Sequence, residues 1–254
     1  MSLPRTPSFR LDGRRALIAG ASSGIGAACS VALAEQGADV TLCARRTPEL
    51  QALADEMRAE GFSADTLPLD ITDIPATEAA LAALPAFDIL VNSVGGARHS
   101  PAVDTTPEDF DFATSLNLRA AYFLTRSVAK RLIAEHKPGS LINITSQMAH
   151  VGGIDRAVYA ATKHAVEGMT KSMAIEWGPH SIRVNTVAPT FIRTALTAAT
   201  FANPERAAWI ASKIKLGRVG EVTDIMGAVA FLASDAASLI TGTSILVDGG
   251  WTAD

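Results

Sequence analysis

The stretch YAATK, residues 159–163, places a phenol and an ammonium group four residues apart. On a helix this spacing is one turn, so both side chains would lie on the same face. A free tyrosine, with a pKa of about 10, is a poor acid or base at neutral pH, and a nearby positive charge lowers that pKa. Tyr159 could therefore be an acid/base activated by Lys163, or both residues could belong to an ordinary amphipathic helix.

A glycine-rich turn follows the first apolar run, RALIAG at 15–20. The segment GASSGIG carries Gly20, Gly24 and Gly26 where a helical pattern begins. Glycines permit a tight turn and close backbone approach, and the free N–H groups of a helix N-terminus can bind a pyrophosphate. The motif favours a nucleotide site over a simple strand-to-helix turn. No Gly-Lys-Ser/Thr follows, which excludes a P-loop.

Two arginines, Arg45 and Arg46, follow the second apolar run. An NAD site usually has an acidic residue here for the adenosine ribose, whereas arginine suits a 2′-phosphate. The nearest acid, Asp39, lies at the opposite end of the run. The arginines therefore predict NADP, with NAD possible; the alternative is a pair of solvated charges at a helix entry.

Polar residues also end later apolar runs. Asp70, next to Ile71, could accept a hydrogen bond from an adenine amino group or cap the following helix. Asn92 ends the fourth run. Gly95 and Gly96 follow it, and because they have no side chains they would leave room for a nicotinamide ribose.

Ser146 and Asn117 are two further candidates. Ser146 ends the fifth run, thirteen residues before Tyr159, and is either a functional hydroxyl or a turn and capping residue. Asn117 falls in the middle of a predicted helix, where asparagine is unfavourable unless its side chain has a local partner.

The elements that would position these residues alternate along the chain. Apolar runs predict strands at 15–20, 38–44, 64–72, 87–93, 140–146, 181–189 and 243–250, and the main helices at 24–38, 48–61, 75–84, 107–135 and 157–177. Buried strands alternating with helices indicate a parallel sheet covered on both faces. We expect an α/β fold: a single doubly wound, Rossmann-like domain over 1–254, with its ligands beyond the carboxyl ends of seven strands.

Composition narrows the class of protein. With 254 residues, 48% hydrophobic and 19% charged, the chain can bury a sizeable core. A net charge of −4 without basic runs argues against nucleic-acid binding. Neither the two cysteines nor the five histidines show metal-ligand spacing, so we expect no metal. There is no secretory signal pattern or membrane-length apolar run, so a cytoplasmic protein is expected.

Taken together, GASSGIG, Asp70, NSVG, Asn117, Ser146, YAATK and the run Pro189–Thr194 resemble the single-domain short-chain dehydrogenase/reductase family, from about Leu11 to Gly250. The resemblance implies that Tyr159 is the general acid/base and that Lys163 lowers its pKa and holds the nicotinamide ribose. Ser146 would orient the substrate oxygen, and Asn117 would anchor a water in a proton relay. The implied cofactor contacts are Gly20, Ser22, Ser23, Gly24, Ile25, Gly26, Arg45, Arg46, Asp70, Ile71, Asn92, Gly95, Tyr159, Lys163, Pro189, Ile192 and Thr194.

The implied reaction is hydride transfer between NADP(H) and a secondary alcohol or ketone. We expect the substrate pocket to be lined by Gly96–Ser100, Gln147–Arg156 and a lid at about 190–216. Gln147, His150 and Arg156 would suit a hydroxylated or carboxylated substrate; Met148, Phe191, Phe201 and Trp209 would suit an apolar one. Residues 146–194 look most similar to sugar-acid and polyol dehydrogenases, with 3-oxoacyl-thioester reductases as the alternative.

The chain departs from the family pattern at Ala19, at Ser93-Val94 and at Thr190, which replaces a glycine and should not adopt a positive φ. These changes leave a second class of protein as the alternative: a catalytically silent regulator that binds a dinucleotide. In the family, the helices corresponding to 107–135 and 157–177 form a four-helix interface between subunits. We therefore expect a homo-oligomer, most simply a tetramer, supported by small residues on the second helix (Ala160, Ala161, Ala165 and Gly168) and by the many apolar residues on the first (Phe112, Leu116, Leu124, Val128 and Leu132).

Overall fold

A seven-stranded parallel sheet forms the centre of the computed structural model, which describes residues 3–253. The strand order is β3-β2-β1-β4-β5-β6-β7, so the sheet grows in opposite directions from the β1/β4 pair. In such sheets, ligands bind beyond the carboxyl ends of the strands at this switch point. The strands are β1 (Arg15–Ala19), β2 (Asp39–Ala44), β3 (Ala64–Pro68), β4 (Ile89–Asn92), β5 (Gly139–Ile144), β6 (Ile182–Pro189) and β7 (Ser244–Val247). The predicted doubly wound α/β fold is confirmed.

Helices cover both faces of the sheet. One layer packs Leu33, Ile225 and Val229 against the sheet, and the other packs Leu124 and Met173. The helices are α1 (Gly24–Glu35), α2 (Thr47–Ala59), α3 (Ile74–Ala83), α4 (Pro107–Thr114), α5 (Ala120–Ala134), α6 (Ala157–Trp177), α7 (Ala198–Phe201), α8 (Pro204–Lys213) and α9 (Thr223–Ala233). Within residues 3–253, no helix combines the length and apolar character needed to cross a membrane.

The central strands are apolar because helices cover them on both sides. β4 and β5 are buried at every position. Each strand carries a buried asparagine, and Asn92 Nδ2 donates to Asn143 Oδ1 at 3.0 Å. Asn92 Oδ1 accepts from the N–H of Val94 at 3.2 Å, so the Asn92 amide is satisfied, whereas Asn143 Nδ2 has no partner among residues 3–253.

The predicted helix 107–135 is helical from Pro107 to Ala134 but is not α-helical throughout. A π-helical turn, Ser115–Arg119, separates α4 from α5. Three of the apolar residues that were predicted to support a subunit interface do not face outward. Leu124, Val128 and Leu132 are fully buried against the sheet of the same chain. They therefore give no support to an oligomer, and the prediction was wrong for these three residues.

Helix α9 had no counterpart in the sequence-based prediction. Its segment TDIMGAVAFLA contains β-branched residues and Gly227, all of which lower intrinsic helix propensity. Tertiary packing compensates, since Ile225, Val229 and Leu232 lie on one helical face and are buried. The third strand is also shorter than predicted, since it ends at Pro68 and the chain then turns at Asp70.

Candidate active site

Two adjoining cavities open beyond the carboxyl ends of the strands. The first, about 400 Å³, is lined by the glycine turn, Arg45 and Asp70. The second, about 320 Å³, is lined by Ser146, Tyr159 and Lys163. Both cavities include Ile25, Ser93, Gly95, Thr194 and Leu196 in their walls. They therefore form one elongated cleft, with the size and shape for an extended ligand at one end and a small molecule at the other.

The glycine turn fits a dinucleotide because its backbone has no room for side chains. Gly20 has φ +82°, and a Cβ there would lie 3.0 Å from the carbonyl carbon of Ser93. A Cβ at Gly26 would lie 2.1 Å from the Gly20 carbonyl oxygen. Helix α1 begins at Gly24, and the Ser23 side chain does not cap it. The first N–H groups of α1 are thus available to a pyrophosphate.

The arginines after β2 lie in the first cavity. Arg46 Nη2 donates to Ser22 Oγ at 2.8 Å and to Ser23 Oγ at 3.0 Å. Arg45 is largely exposed and lies 3.9 Å from Asp70 Oδ2. The cluster therefore presents two guanidinium groups and two hydroxyls, a donor-rich surface that fits a phosphate. Asp39 is at the start of β2, as the sequence predicted.

Asp70 does not cap the helix that follows it. Its Oδ1 accepts from the backbone N–H and the hydroxyl of Thr72 at 3.0 and 2.7 Å. Asp73 caps α3 instead, accepting from the N–H of Ala76 at 3.0 Å. Asp70 and the neighbouring Ile71 line the first cavity, the region in which the adenine contact was predicted.

Ser146 and Tyr159 meet in the second cavity. Ser146 follows β5, and its hydroxyl accepts from the N–H of Met148 at 3.1 Å and donates to Gln147 Oε1 at 2.9 Å. Burial raises the pKa of the Tyr159 phenol above its usual 10, while a hydrogen bond from Ser146 and the charge of Arg156 act in the opposite direction. Tyr159 is accordingly neutral at physiological pH in the chain alone.

Lys163 lies one turn after Tyr159 and is buried. Its Nζ donates to the carbonyl of Ile144 at 3.0 Å and lies 5.8 Å from the centre of the Tyr159 ring. Burial lowers the pKa of Lys163 to about 8, and the charge of Glu167 opposes this effect. Among the charges, that of Arg156 opposes the effect of burial on the pKa of Tyr159, and the predicted effect of Lys163 on that pKa stays a prediction.

Glu167, one turn beyond Lys163, is a buried carboxylate that the sequence analysis missed. It accepts hydrogen bonds from the hydroxyls of Thr145 and Thr186, both at 2.8 Å, and from Ser244 at 3.1 Å. These bonds tie α6 to the ends of β5, β6 and β7. The signal was present in the sequence, since an acid four residues after a functional lysine shares its helical face.

Asn117 lies in the π turn, and its side chain is fully engaged. Its Oδ1 accepts from the N–H of Gly96 at 2.9 Å, and its Nδ2 donates to the Gly96 carbonyl at 2.8 Å and to Thr162 Oγ1 at 3.2 Å. This local partner explains an asparagine within a helix, and π turns are frequent at functional sites. Asn117 therefore fixes the loop after β4 against α6; its water-anchoring role stays a prediction.

Of the predicted substrate contacts, the structure places two in the cleft and one outside it. Gln147 and Arg156 line the second cavity. His150 does not: the short turn Gln147–Ala149 ends before it, and its ring contacts Ser244 Oγ at 3.1 Å. The assignment of His150 to the substrate pocket was therefore wrong.

The segment predicted as a lid forms one wall of the cleft. Pro189, Thr190, Phe191, Ile192 and Thr194 line the second cavity, and Thr190 does not adopt a positive φ, as expected. Of the apolar residues predicted for the pocket, Met148 and Phe191 line the second cavity, whereas Phe201 and Trp209 do not. Trp209 packs edge-on against Trp251 at 5.6 Å. In residues 3–253, no group of three or more His, Cys, Asp or Glu side chains could hold a metal ion.

Comparison with known proteins agrees with this geometry. A family model described as enoyl-(acyl carrier protein) reductase matches residues 20–252. A D-erythrulose reductase from Gallus gallus is 39% identical over 245 residues, covering 96% of this chain and 98% of the chicken protein. A gluconate 5-dehydrogenase from Gluconobacter oxydans is 36% identical over 248 residues, covering 96% of each chain.

A solved structure extends the comparison. A gluconate 5-dehydrogenase from Burkholderia cenocepacia, crystallised in complex with NADP and tartrate, matches with a TM-score of 0.93 and 36% identity, over 97% of this chain and 98% of that chain. The family match, the near full-length relatives and the order of the cleft residues along the sheet lead to one conclusion: the chain belongs to the short-chain dehydrogenase/reductase family.

Proposed function

We propose that this protein is an NADP(H)-dependent oxidoreductase that interconverts a secondary alcohol and a ketone in a sugar acid, a polyol or a related hydroxy compound. The observation that carries the proposal is the arrangement of Ser146, Tyr159 and Lys163 at one end of a glycine-lined cleft. The relatives named as erythrulose reductase and gluconate dehydrogenase favour such substrates over a 3-oxoacyl thioester. The intact set of polar side chains argues against a silent regulator.

The residues that would hold NADP(H) follow from the two cavities. The N–H groups at the start of α1 would bind the pyrophosphate, and Arg45 and Arg46 with Ser22 would bind the 2′-phosphate. Lys163 would hold the nicotinamide ribose, beside Gly95, Pro189, Ile192 and Thr194. Asn92, also predicted as a cofactor contact, lines neither cavity and is buried with its side chain bound to Asn143. When bound, the cofactor supplies or accepts the hydride.

The chain's own residues supply the proton and the orientation. In the reductive direction, the neutral Tyr159 phenol would donate its proton to the carbonyl oxygen, which the Ser146 hydroxyl would hold in place. Lys163, kept near the site by the Ile144 carbonyl, would favour the phenolate that remains. A positioned acid/base of this kind contributes roughly 10²- to 10⁴-fold to the rate.

A direct test is a panel of aldonates, alditols, ketoses and 3-oxoacyl thioesters, assayed by NAD(P)H absorbance with both cofactors. We expect turnover with NADP(H) and a polyhydroxylated substrate. Cofactor binding without turnover of any compound would favour the regulator, and thioesters as best substrates would favour the alternative reductase.

Arg45→Asp should move the cofactor preference toward NAD. The change removes a donor from the proposed 2′-phosphate site and adds a negative charge. Because hydrogen bonds to charged groups contribute about 1.5–3 kcal/mol, we expect the ratio of kcat/KM for NADP to that for NAD to fall roughly 10- to 100-fold. The exposed Arg5, which lines neither cavity, offers Arg5→Asp as a control with the same change in net charge. Wild-type protein with a higher kcat/KM for NAD would contradict the assignment.

We also propose that the chain forms a homotetramer and works in the cytoplasm. The small-residue face of α6 is partly open in the single chain, with Ala161 and Gly168 exposed, and Ile175 on the same helix is 78% exposed. Two copies of such a self-complementary surface could pack around a twofold axis. Light scattering should give about 106 kDa, four times the 26.5 kDa chain. A monomer at micromolar concentration would refute the proposal.

A further inference from the structure

Arg156 stands just before α6, and no acidic side chain among residues 3–253 pairs with it. Its half-buried guanidinium lines the second cavity together with Tyr159. Burial lowers its pKa, and the positive charge of Arg206 acts in the same direction, while Tyr159 acts in the opposite one. Across residues 3–253, neither arginine forms an ion pair with a carboxylate. A guanidinium that is partly desolvated and faces a like charge is an unfavourable arrangement in the free chain.

The walls of this cavity carry no compensating negative charge. Within the described residues that line it, there is no Asp or Glu, and the cations are Arg156 and Lys163. The negative charge of the buried Glu167 opposes the effect of burial on the pKa of Lys163, and Lys163 Nζ is bound to the Ile144 carbonyl. That leaves the charge of Arg156 unmatched, so the substrate end of the cleft attracts an anion.

Gln147 adds a second unmatched donor on the same wall. It is 2% exposed, and its Oε1 accepts from Ser146, which fixes the orientation of the amide. Its Nε2 has no hydrogen-bond partner. A buried N–H group without an acceptor costs about 1–3 kcal/mol, and an acceptor oxygen brought by a ligand would remove that cost.

We propose that Arg156, supported by the Gln147 amide, binds a carboxylate of the substrate. The preferred substrates would then be hydroxy acids or oxo acids of the sugar series, and neutral polyols and ketoses would be poorer. This assignment rests on the oxidoreductase function proposed above and selects one class within it. Carboxylates suit the site because they present two oxygens to the planar guanidinium fork, and a polar group in a site built for it discriminates strongly against analogues that lack it.

The first test compares aldonates with alditols of the same carbon number. In wild type, the best aldonate should have at least a tenfold higher kcat/KM than its alditol. Arg156→Gln should lower the ratio of kcat/KM for the aldonate to that for the alditol about tenfold or more, mainly through a higher KM for the aldonate, whereas any effect of the lost charge on Tyr159 should change kcat for both substrates alike. Arg156→Lys, which keeps the charge but loses the planar fork, should fall between them. An equal loss on both substrates would overturn the proposal, because it would indicate a role in tuning Tyr159.

The control is Arg193→Gln. Arg193 is also a lid-side arginine, but it pairs with Glu221 at 3.2 Å and lies outside the second cavity. We expect this variant to keep the wild-type preference between aldonate and alditol. A loss of preference equal to that of Arg156→Gln would show that general surface charge, and not a specific site, selects the acid.

A binding measurement separates this proposal from the proposed function. Calorimetric titration of the NADPH-loaded protein with tartrate should give saturable binding that weakens at least tenfold in Arg156→Gln. Tartrate binding without turnover of any alcohol or ketone would support the carboxylate site and reject the oxidoreductase. Turnover of neutral polyols without tartrate binding or any preference for acids would support the oxidoreductase and reject the carboxylate site.

Discussion

Tyr159→Phe should lose about 10²-fold or more in kcat while keeping its affinity for NADPH. The substitution removes the phenolic oxygen, the group that would exchange a proton with the substrate, and leaves the ring. The ring's neighbours stay in place: the His99 ring contacts it edge-on at 5.9 Å, and Lys163 keeps its bond to the Ile144 carbonyl. A fall of that size corresponds to about 2.7 kcal/mol or more of transition-state stabilisation.

The chain contains its own control for this change. Tyr122, its other tyrosine, lies on α5 with 41% of its surface exposed and stacks edge-on with Phe123. Tyr122→Phe should leave kcat and KM unchanged. Single-turnover rates and NADPH fluorescence titrations would separate chemistry from binding in both variants. A Tyr159→Phe enzyme with near-wild-type kcat would remove Tyr159 from its assigned role.

The residues that could be predicted from the sequence are those whose patterns are local. Helix α6 has the predicted bounds 157–177, because its apolar spacing lies within the segment itself and Gly178 follows its last residue. The glycine turn was also recognisable, since its conformation depends on three glycines close in the chain. Strand ends follow from apolar runs, and parallel pairing then brings Ser146, Asn92 and Gly20 to one edge of the sheet.

The features that escaped prediction depend on contacts between distant segments. The three hydroxyls that hydrogen-bond Glu167 belong to Thr145, which follows β5, to Thr186 in β6 and to Ser244 in β7, so no local pattern reveals that its carboxylate is buried and satisfied. His150 is three residues from Gln147, yet the two side chains take different environments once the turn between them ends. The pKa of Tyr159 likewise depends on how deeply the folded chain buries it, which the spacing to Lys163 does not contain.

Gly26→Ala should abolish tight NADPH binding, because the added methyl group has no space. A Cβ at this position would lie 2.1 Å from the Gly20 carbonyl oxygen and 2.6 Å from its carbonyl carbon. Both obstacles are backbone atoms, so relief requires α1 to move away from the turn that would hold the pyrophosphate. We expect the Kd for NADPH to rise about 100-fold, and overpacking of this kind to lower the free energy of unfolding by about 1–3 kcal/mol.

Gly227→Ala is the matched control, since Gly227 lies within α9 and a Cβ there would meet no atom within 4 Å. In a helix interior, this change should raise the free energy of unfolding by about 0.5–1 kcal/mol and leave NADPH affinity unchanged.

Thermal melts with and without NADPH distinguish the two glycines. The wild type and Gly227→Ala should gain stability from saturating cofactor, whereas Gly26→Ala should gain little, because only a ligand that binds the native state stabilises it. A Gly26→Ala protein that binds NADPH within threefold of wild type would show that the turn tolerates the displacement. The close approach of Gly26 to the Gly20 carbonyl would then not be required for cofactor binding.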